Sequence, residues 1–148
     1  MMSKAWLSLG ANLGDPSAQL AEAVRRIDAH KDITVTAQSS VLATKPWGKT
    51  DQPDFANMAI AVETSLQPIE LLDVILGIER DMGRVRDEVW GPRLIDIDII
   101  AYDRIEMISP RLTLPHPYAH ERSFVLDPLR QIDEDVANWV METAAKSL

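Results

Sequence analysis

Apolar positions along the 148-residue chain alternate between two spacings. The run A-W-L-S-L at positions 5–9 reads as a strand, and it ends in G-A-N-L-G-D-P, where Asp15 can cap a helix and Pro16 suits its first turn. Leu20, Ala21, Val24 and Ile27 then recur at helical spacing. Ile33 to Ala43 and Ala56 to Glu63 alternate as two further strands, separated by a polar loop from Thr44 to Phe55 that carries two prolines and a glycine. Pro68 opens a second helix with the stripe Leu71, Leu72, Ile75, Ile78 and Met82, closed by Gly83. An arginine-rich loop leads to a strand from Leu94 to Tyr102, and Ile105 to Ile108 returns as a short hairpin strand. A proline-rich loop with L-P-H-P-Y follows, then weaker helical patterns at Glu121 to Leu129 and Val136 to Lys146.

The order β-α-β-β-α-β is the ferredoxin-like split unit. It predicts an α+β fold: a mainly antiparallel sheet, helices on one of its faces and extra helices at the C-terminal end. Neither a repeat nor a linker interrupts the pattern, and the length suits a single domain over residues 1–148.

The net charge of −8 argues against a nucleic-acid binder that relies on a general basic surface. With no cysteine there are no disulfides, zinc-thiolate sites or thiol nucleophiles, which agrees with a reducing cytoplasm. Apolar runs fall short of the roughly 20 residues of a membrane span, and the first residues lack the apolar stretch of a signal peptide, so a soluble cytoplasmic protein without a membrane partner is expected. Seven of the ten arginines (Arg80, Arg84, Arg86, Arg93, Arg104, Arg111 and Arg122) nevertheless crowd between positions 80 and 122. Local arginines on an acidic body suit a small anionic ligand better than a long polyanion.

Residues 90–98, W-G-P-R-L-I-D-I-D, lie at the centre of that crowd. In a strand Asp96 and Asp98 leave one face while Ile95, Ile97 and Ile99 leave the other. Two like charges side by side call for a cation between them, and a hard, oxygen-liganded ion such as Mg²⁺ answers. An amphipathic strand with a wet acidic face shows the same alternation, so D-I-D alone leaves both readings open. Arg84, Arg86 and Arg93 carry forked donors that fit phosphate oxygens, or they pair with Asp81, Asp87 and Glu88 in a solvated loop. Glu79 lies near the apolar stripe of its helix and wants a partner, either an arginine or a ligand. His116 is pinned between Pro115 and Pro117, outside any helix or central strand, and is a site residue or an ordinary capping or core histidine. Phe55 and Phe124, the only phenylalanines, stand beside polar loops; they are core residues or the two faces of a slot for a flat heterocycle. Gly48-Lys49-Thr50 ends like a P-loop, but Ala43 stands where the leading glycine belongs and Pro46 interrupts the loop.

S-L-G-A-N-L-G-D, D-Q-P-D-F-A-N, G-R-V-R, W-G-P-R-L-I-D-I-D-I-I and L-P-H-P followed by E-R-S-F-V-L-D-P-L occur in that order between positions 8 and 129. Together they strongly resemble the 6-hydroxymethyl-7,8-dihydropterin pyrophosphokinases of folate biosynthesis. The resemblance implies transfer of the β,γ-diphosphate of ATP to the pterin hydroxymethyl group with release of AMP. It implies two Mg²⁺ ions on Asp96 and Asp98, and catalytic roles for Arg84 and Arg93 beside them. ATP would be met by Glu79, Arg84, Arg86, Trp90, Arg93, Arg111, Thr113, His116 and Arg122. The pterin would be met by Phe55 and Phe124 as a sandwich, by Asn57 reading the ring edge, and by Thr44, Trp47 and Asp96. Lys45, Trp47, Leu76 and Pro117 depart from the residues expected at their positions. The implied partners are small molecules only, and the implied state is a monomer. A ferredoxin-like RNA-binding module and a different two-metal phosphoryl-transfer enzyme or nuclease are the rival classes; acidic charge and the lack of a basic sheet motif count against the first.

Overall fold

A computed structural model describes residues 2–12, 14–44, 55–83 and 95–146. The central strand β1 (Ser3–Ala11) is antiparallel to β4 (Phe55–Thr64) on one side and to β5 (Asp96–Tyr102) on the other. Along its far edge β4 carries β2 (Ile33–Gln38) and β3 (Leu42–Thr44), both antiparallel, giving the order β2-β4-β1-β5 with β3 beside β4. The expected βαββαβ order and mainly antiparallel sheet are therefore present.

Period-two alternation sorts β1 onto two faces. Ala5, Leu7, Leu9 and Ala11 turn to one side, where they cluster with Leu20, Ala23, Val24 and Ile27 of α1 (Pro16–Asp28) and with Leu71, Ile75 and Met82 of α2 (Pro68–Gly83). Helix α1 starts as expected, with Pro16 in its first turn and Asp15 accepting the N–H of Ala18 at 3.2 Å. Its inward stripe uses Ala23 in place of Ala21, which is exposed, because positions i, i+3, i+4 and i+7 from Leu20 define the buried arc. On the other face Trp6, Ala59, Ala61, Ile100 and Ala101 pack with Val125 and Leu129 of α3 (Ser123–Ile132) and Val136, Ala137 and Val140 of α4 (Glu134–Lys146). The added C-terminal helices thus cover the face that the βαββαβ unit leaves bare. A register shift places Ile100 between the pairs Trp6–Ala101 and Leu7–Ile99, which turns this extra isoleucine into the second cluster while Ile97 and Ile99 stay in the first.

Two expected elements differ. The strand read from Ile33 to Ala43 is two strands, because Ser39 replaces the ladder locally. Its N–H donates to the Ala59 carbonyl and its Oγ accepts the Ala59 N–H, both at 2.9 Å. Gln131 of α3 takes the N–H of the next residue, Ser40, at 2.9 Å. The expected return strand at Ile105 to Ile108 narrows to β6 (Met107–Ile108), which pairs with β7 (Thr113–Leu114) as a separate ladder.

Candidate functional site

The apolar cover of the second face stops partway along the sheet. Below Trp6 the next β1 residues on that side are Ser8 and Gly10, and the strand register names what stands beside them. Ser8 pairs with Ala59 and Asp98, while Gly10 pairs with Asn57 and Asp96. Leu42 pairs in turn with Asn57, so one row across four strands reads Leu42, Asn57, Gly10, Asp96. Directly paired residues in a sheet share a face. Asn57, Asp96 and Asp98 therefore project on the side where the helices end, with glycine between the amide and the nearer carboxylate.

Gly10 is tight as well as small. A Cβ built there would lie 2.9 Å from Asn57 Oδ1. Asn57 is buried, at 5% exposure, whereas Asp96 is exposed and Asp98 half-buried. Phe55 heads β4 two residues before Asn57, on the same face, and is exposed. Phe124 comes from the first turn of α3 and packs half-buried against the second cluster. Neither phenylalanine is thus a fully buried core residue. Thr44 pairs with Phe55 along the backbone at the end of β3.

The proline-pinned histidine joins this end of the sheet through its main chain. The His116 N–H donates to the Ile100 carbonyl at 2.9 Å, next to the bulge. Its Nδ1 accepts the Tyr118 N–H at 3.2 Å, which assigns the proton of the neutral ring to Nε2. Burial lowers its pKa below the ordinary value of 6.5, with the Asp98 charge pulling upward and the Arg122 charge downward. Arg122 lies over the rings of Tyr118 and Phe124, 5.7 and 5.9 Å from their centroids, and makes no ion pair with a described residue. His116, Asp98, Arg122 and Phe124 thus share one neighbourhood.

Of the remaining candidates, Thr113 lines one cavity with His116 and Tyr118. Arg111, beside the β6–β7 ladder, forms an exposed ion pair with Asp73 of α2, and Thr113 lies opposite Ile108. Glu79 accepts the N–H of Ile97 at 2.9 Å on the outer edge of β5. Arg84, Arg86, Trp90 and Arg93, with Lys45 and Trp47, lie outside the described residues. Sequence reading missed Gly10, Asp73 and Tyr118. Only Gly10 left a trace there, as a glycine on the Trp6–Ser8 face of a strand.

Among the described residues no group of three or more His, Cys, Asp or Glu side chains could hold a metal ion. The donor set is instead two carboxylates on adjacent same-face positions, open to the outside. This fits Mg²⁺, which commonly takes one or two carboxylates and completes its shell with water and phosphate oxygens. No described helix is long and apolar enough to cross a membrane.

A family model described as 7,8-dihydro-6-hydroxymethylpterin-pyrophosphokinase matches residues 6–134. The chain is 49% identical over 148 residues to a 2-amino-4-hydroxy-6-hydroxymethyldihydropteridine pyrophosphokinase of Methylorubrum extorquens, covering 98% of this chain and 94% of that protein. It is 43% identical over 136 residues to the protein of the same name from Bacillus subtilis, covering 92% and 81%. Among solved structures, an HPPK-DHPS chain of Plasmodium falciparum matches with a TM-score of 0.71 at 15% identity. That match covers 97% of this chain and 43% of the longer one, and at such identity it speaks for the fold.

Proposed function

Because the chain belongs to the 7,8-dihydro-6-hydroxymethylpterin-pyrophosphokinase family and is a pyrophosphokinase of folate biosynthesis, we propose that the uncovered end of its sheet is the reaction site. There the β,γ-diphosphate of ATP passes to the hydroxymethyl group of the reduced pterin and AMP leaves. The observation that carries this reading is the row Leu42, Asn57, Gly10, Asp96, which sets an amide that can read a heterocycle beside a carboxylate that can hold a cation.

In this reading Asn57 binds the amide and amino edge of the pterin. Phe55 and Phe124 hold its two faces, and Thr44 and Trp47 assist. Asp96 and Asp98 hold two Mg²⁺ ions. When bound, Mg²⁺ would supply positive charge that offsets the phosphate charge of an in-line displacement. His116 is neutral near pH 7, so its Nε2–H can donate to a phosphate oxygen, while Arg122 adds fixed charge beside it. Arg111 and Thr113 line the nucleoside end. Arg84, Arg86, Trp90 and Arg93 bind ATP, and Arg84 and Arg93 take part in catalysis. Glu79 supports β5 through the Ile97 N–H and is also a candidate contact for ATP. Residues 1–148 act as one unit, a cytoplasmic monomer; the cysteine-free composition supports that compartment.

Product analysis with ATP, Mg²⁺ and 6-hydroxymethyl-7,8-dihydropterin tests the reading. AMP should form only when the pterin is present. ADP as product, or turnover without the pterin, would overturn it.

A further inference from the structure

We infer that Glu79 is a positioning residue: its carboxylate fastens the Ile97 N–H and thereby holds Asp96 and Asp98 in aim. This rests on the reading of those aspartates as cation ligands. Among the described residues β5 is the last strand of its sheet, and the ladder with β1 secures one of its edges. In antiparallel pairing, backbone groups face the partner strand at every second residue and point away at the others. Ile97 sends its N–H outward, to Glu79 Oε2 at 2.9 Å, so the inward-facing backbone groups belong to Asp96 and Asp98, opposite Gly10 and Ser8. The D-I-D segment is therefore pinned alternately, the aspartates by β1 and the isoleucine between them by α2.

The segment needs that second anchor. Asp96 is the first residue of β5, and a strand end is where opening costs least. Glu79 can supply the anchor because it rides on a rigid element. Ile75, four residues before it, and Met82, three residues after it, are both buried against the sheet. A carboxylate accepting a backbone N–H is also a stronger clamp than a neutral acceptor. Mg²⁺ tolerates little departure from octahedral geometry, so displaced carboxylates should harm cation binding before they harm pterin binding.

The test compares the full chain with its Glu79→Ala and Glu79→Gln variants, using amide exchange at Ile97, Mn²⁺ affinity in the presence of a non-hydrolysable ATP analogue, and pterin affinity. Glu79→Ala should lose Ile97 protection and weaken Mn²⁺ binding by about tenfold or more, the usual scale for removing a supporting partner of a metal ligand. Its pterin affinity should stay within about twofold, a spread under 0.5 kcal/mol. Glu79→Gln keeps an acceptor oxygen and should recover most of both losses. Unchanged Ile97 protection in Glu79→Ala, equal losses for cation and pterin, or a glutamine variant no better than alanine would each overturn the inference. Should Glu79→Ala not fold, Glu79→Met keeps the length without the acceptor and carries the same comparison. If Asp98→Ala leaves Mn²⁺ affinity intact, the cation reading itself fails, while the Ile97 exchange still reports on the clamp.

Discussion

Replacing Gly10 by alanine isolates the site from the fold. The new Cβ would meet Asn57 Oδ1 at 2.9 Å but would stand 3.9 Å from the nearest backbone oxygen, that of Ala56. The strain therefore falls on one buried side chain and leaves the sheet untouched. A strand glycine is also about 0.5–1 kcal/mol worse than alanine, a gain that the strain on Asn57 offsets, so the folded state should be about as stable as the parent. Asn57 has to give way, at about 1 kcal/mol for an off-rotamer side chain. The turned amide would misalign with the pterin edge, losing about 1 kcal/mol for a neutral hydrogen bond. The strain is present in the free protein as well as in the complex, so pterin affinity falls by the lost hydrogen bond alone, about 1 kcal/mol or roughly fivefold. Pterin titration followed by ligand fluorescence, with ATP affinity and melting temperature measured in parallel, reads the three quantities separately. Pterin affinity within twofold of the parent would refute the assignment of Asn57 as reader, and an equal loss of ATP affinity would show that the damage is not local.

Asp96→Ala and Asp98→Ala should each abolish turnover while leaving the far-ultraviolet circular dichroism unchanged, and a normal rate in either would rule out the cation role. Phe124→Ala should weaken pterin binding by about tenfold, the scale of a lost aromatic stacking partner, with a much smaller effect on ATP; equal losses in a two-ligand titration would argue that α3 had shifted instead. His116 prefers its neutral form in the folded state, so its contribution to stability is complete above pH 6.5, its ordinary pKa, and is lost as the pH falls toward the depressed folded value. In chelator, so that no cation screens Asp98, the melting temperature of the parent should therefore drop more steeply below pH 6.5 than that of His116→Asn, and parallel curves would remove the buried histidine from the account.

Much of this organisation is legible in the chain because spacing survives folding. The alternation around Asp96 and Asp98 places both carboxylates on one face whatever their neighbours are, and the stripes of α1 and α2 find the core by the same logic. What escapes the sequence depends on a side chain acting as backbone or on residues distant in the chain. Ser39 divides a continuous alternating run because its hydroxyl takes over a ladder hydrogen bond, which no hydrophobic pattern records. Glu79 accepts a backbone N–H, a partner that side-chain reasoning does not name. The adjacency of Gly10 to Asn57 is a matter of register between β1 and β4, and register is set by the whole sheet. The arginines that drew attention first, Arg84, Arg86 and Arg93, lie outside the described residues and remain part of the functional proposal.

In the proposed reading, the charge balance explains how an acidic chain can take up ATP. A body of net charge −8 repels a nucleotide, and the two aspartates sharpen that repulsion at the point where the phosphates must lie. Arginine alone is a poor remedy there, since it would pair with Asp96 and Asp98 and leave its donors occupied. A divalent cation reverses the local sign while leaving coordination positions open to phosphate oxygens. Arg122, lying over two aromatic rings and paired with no described carboxylate, keeps its guanidinium available beside that cation. The lowered pKa of His116 serves the same economy of charge: as a neutral donor it can hold a phosphate oxygen without competing with Mg²⁺ for Asp98. In the proposed reading the acidic pair would make nucleotide binding conditional on the cation, so that a bare nucleotide meets repulsion where the metal-bound one meets ligands.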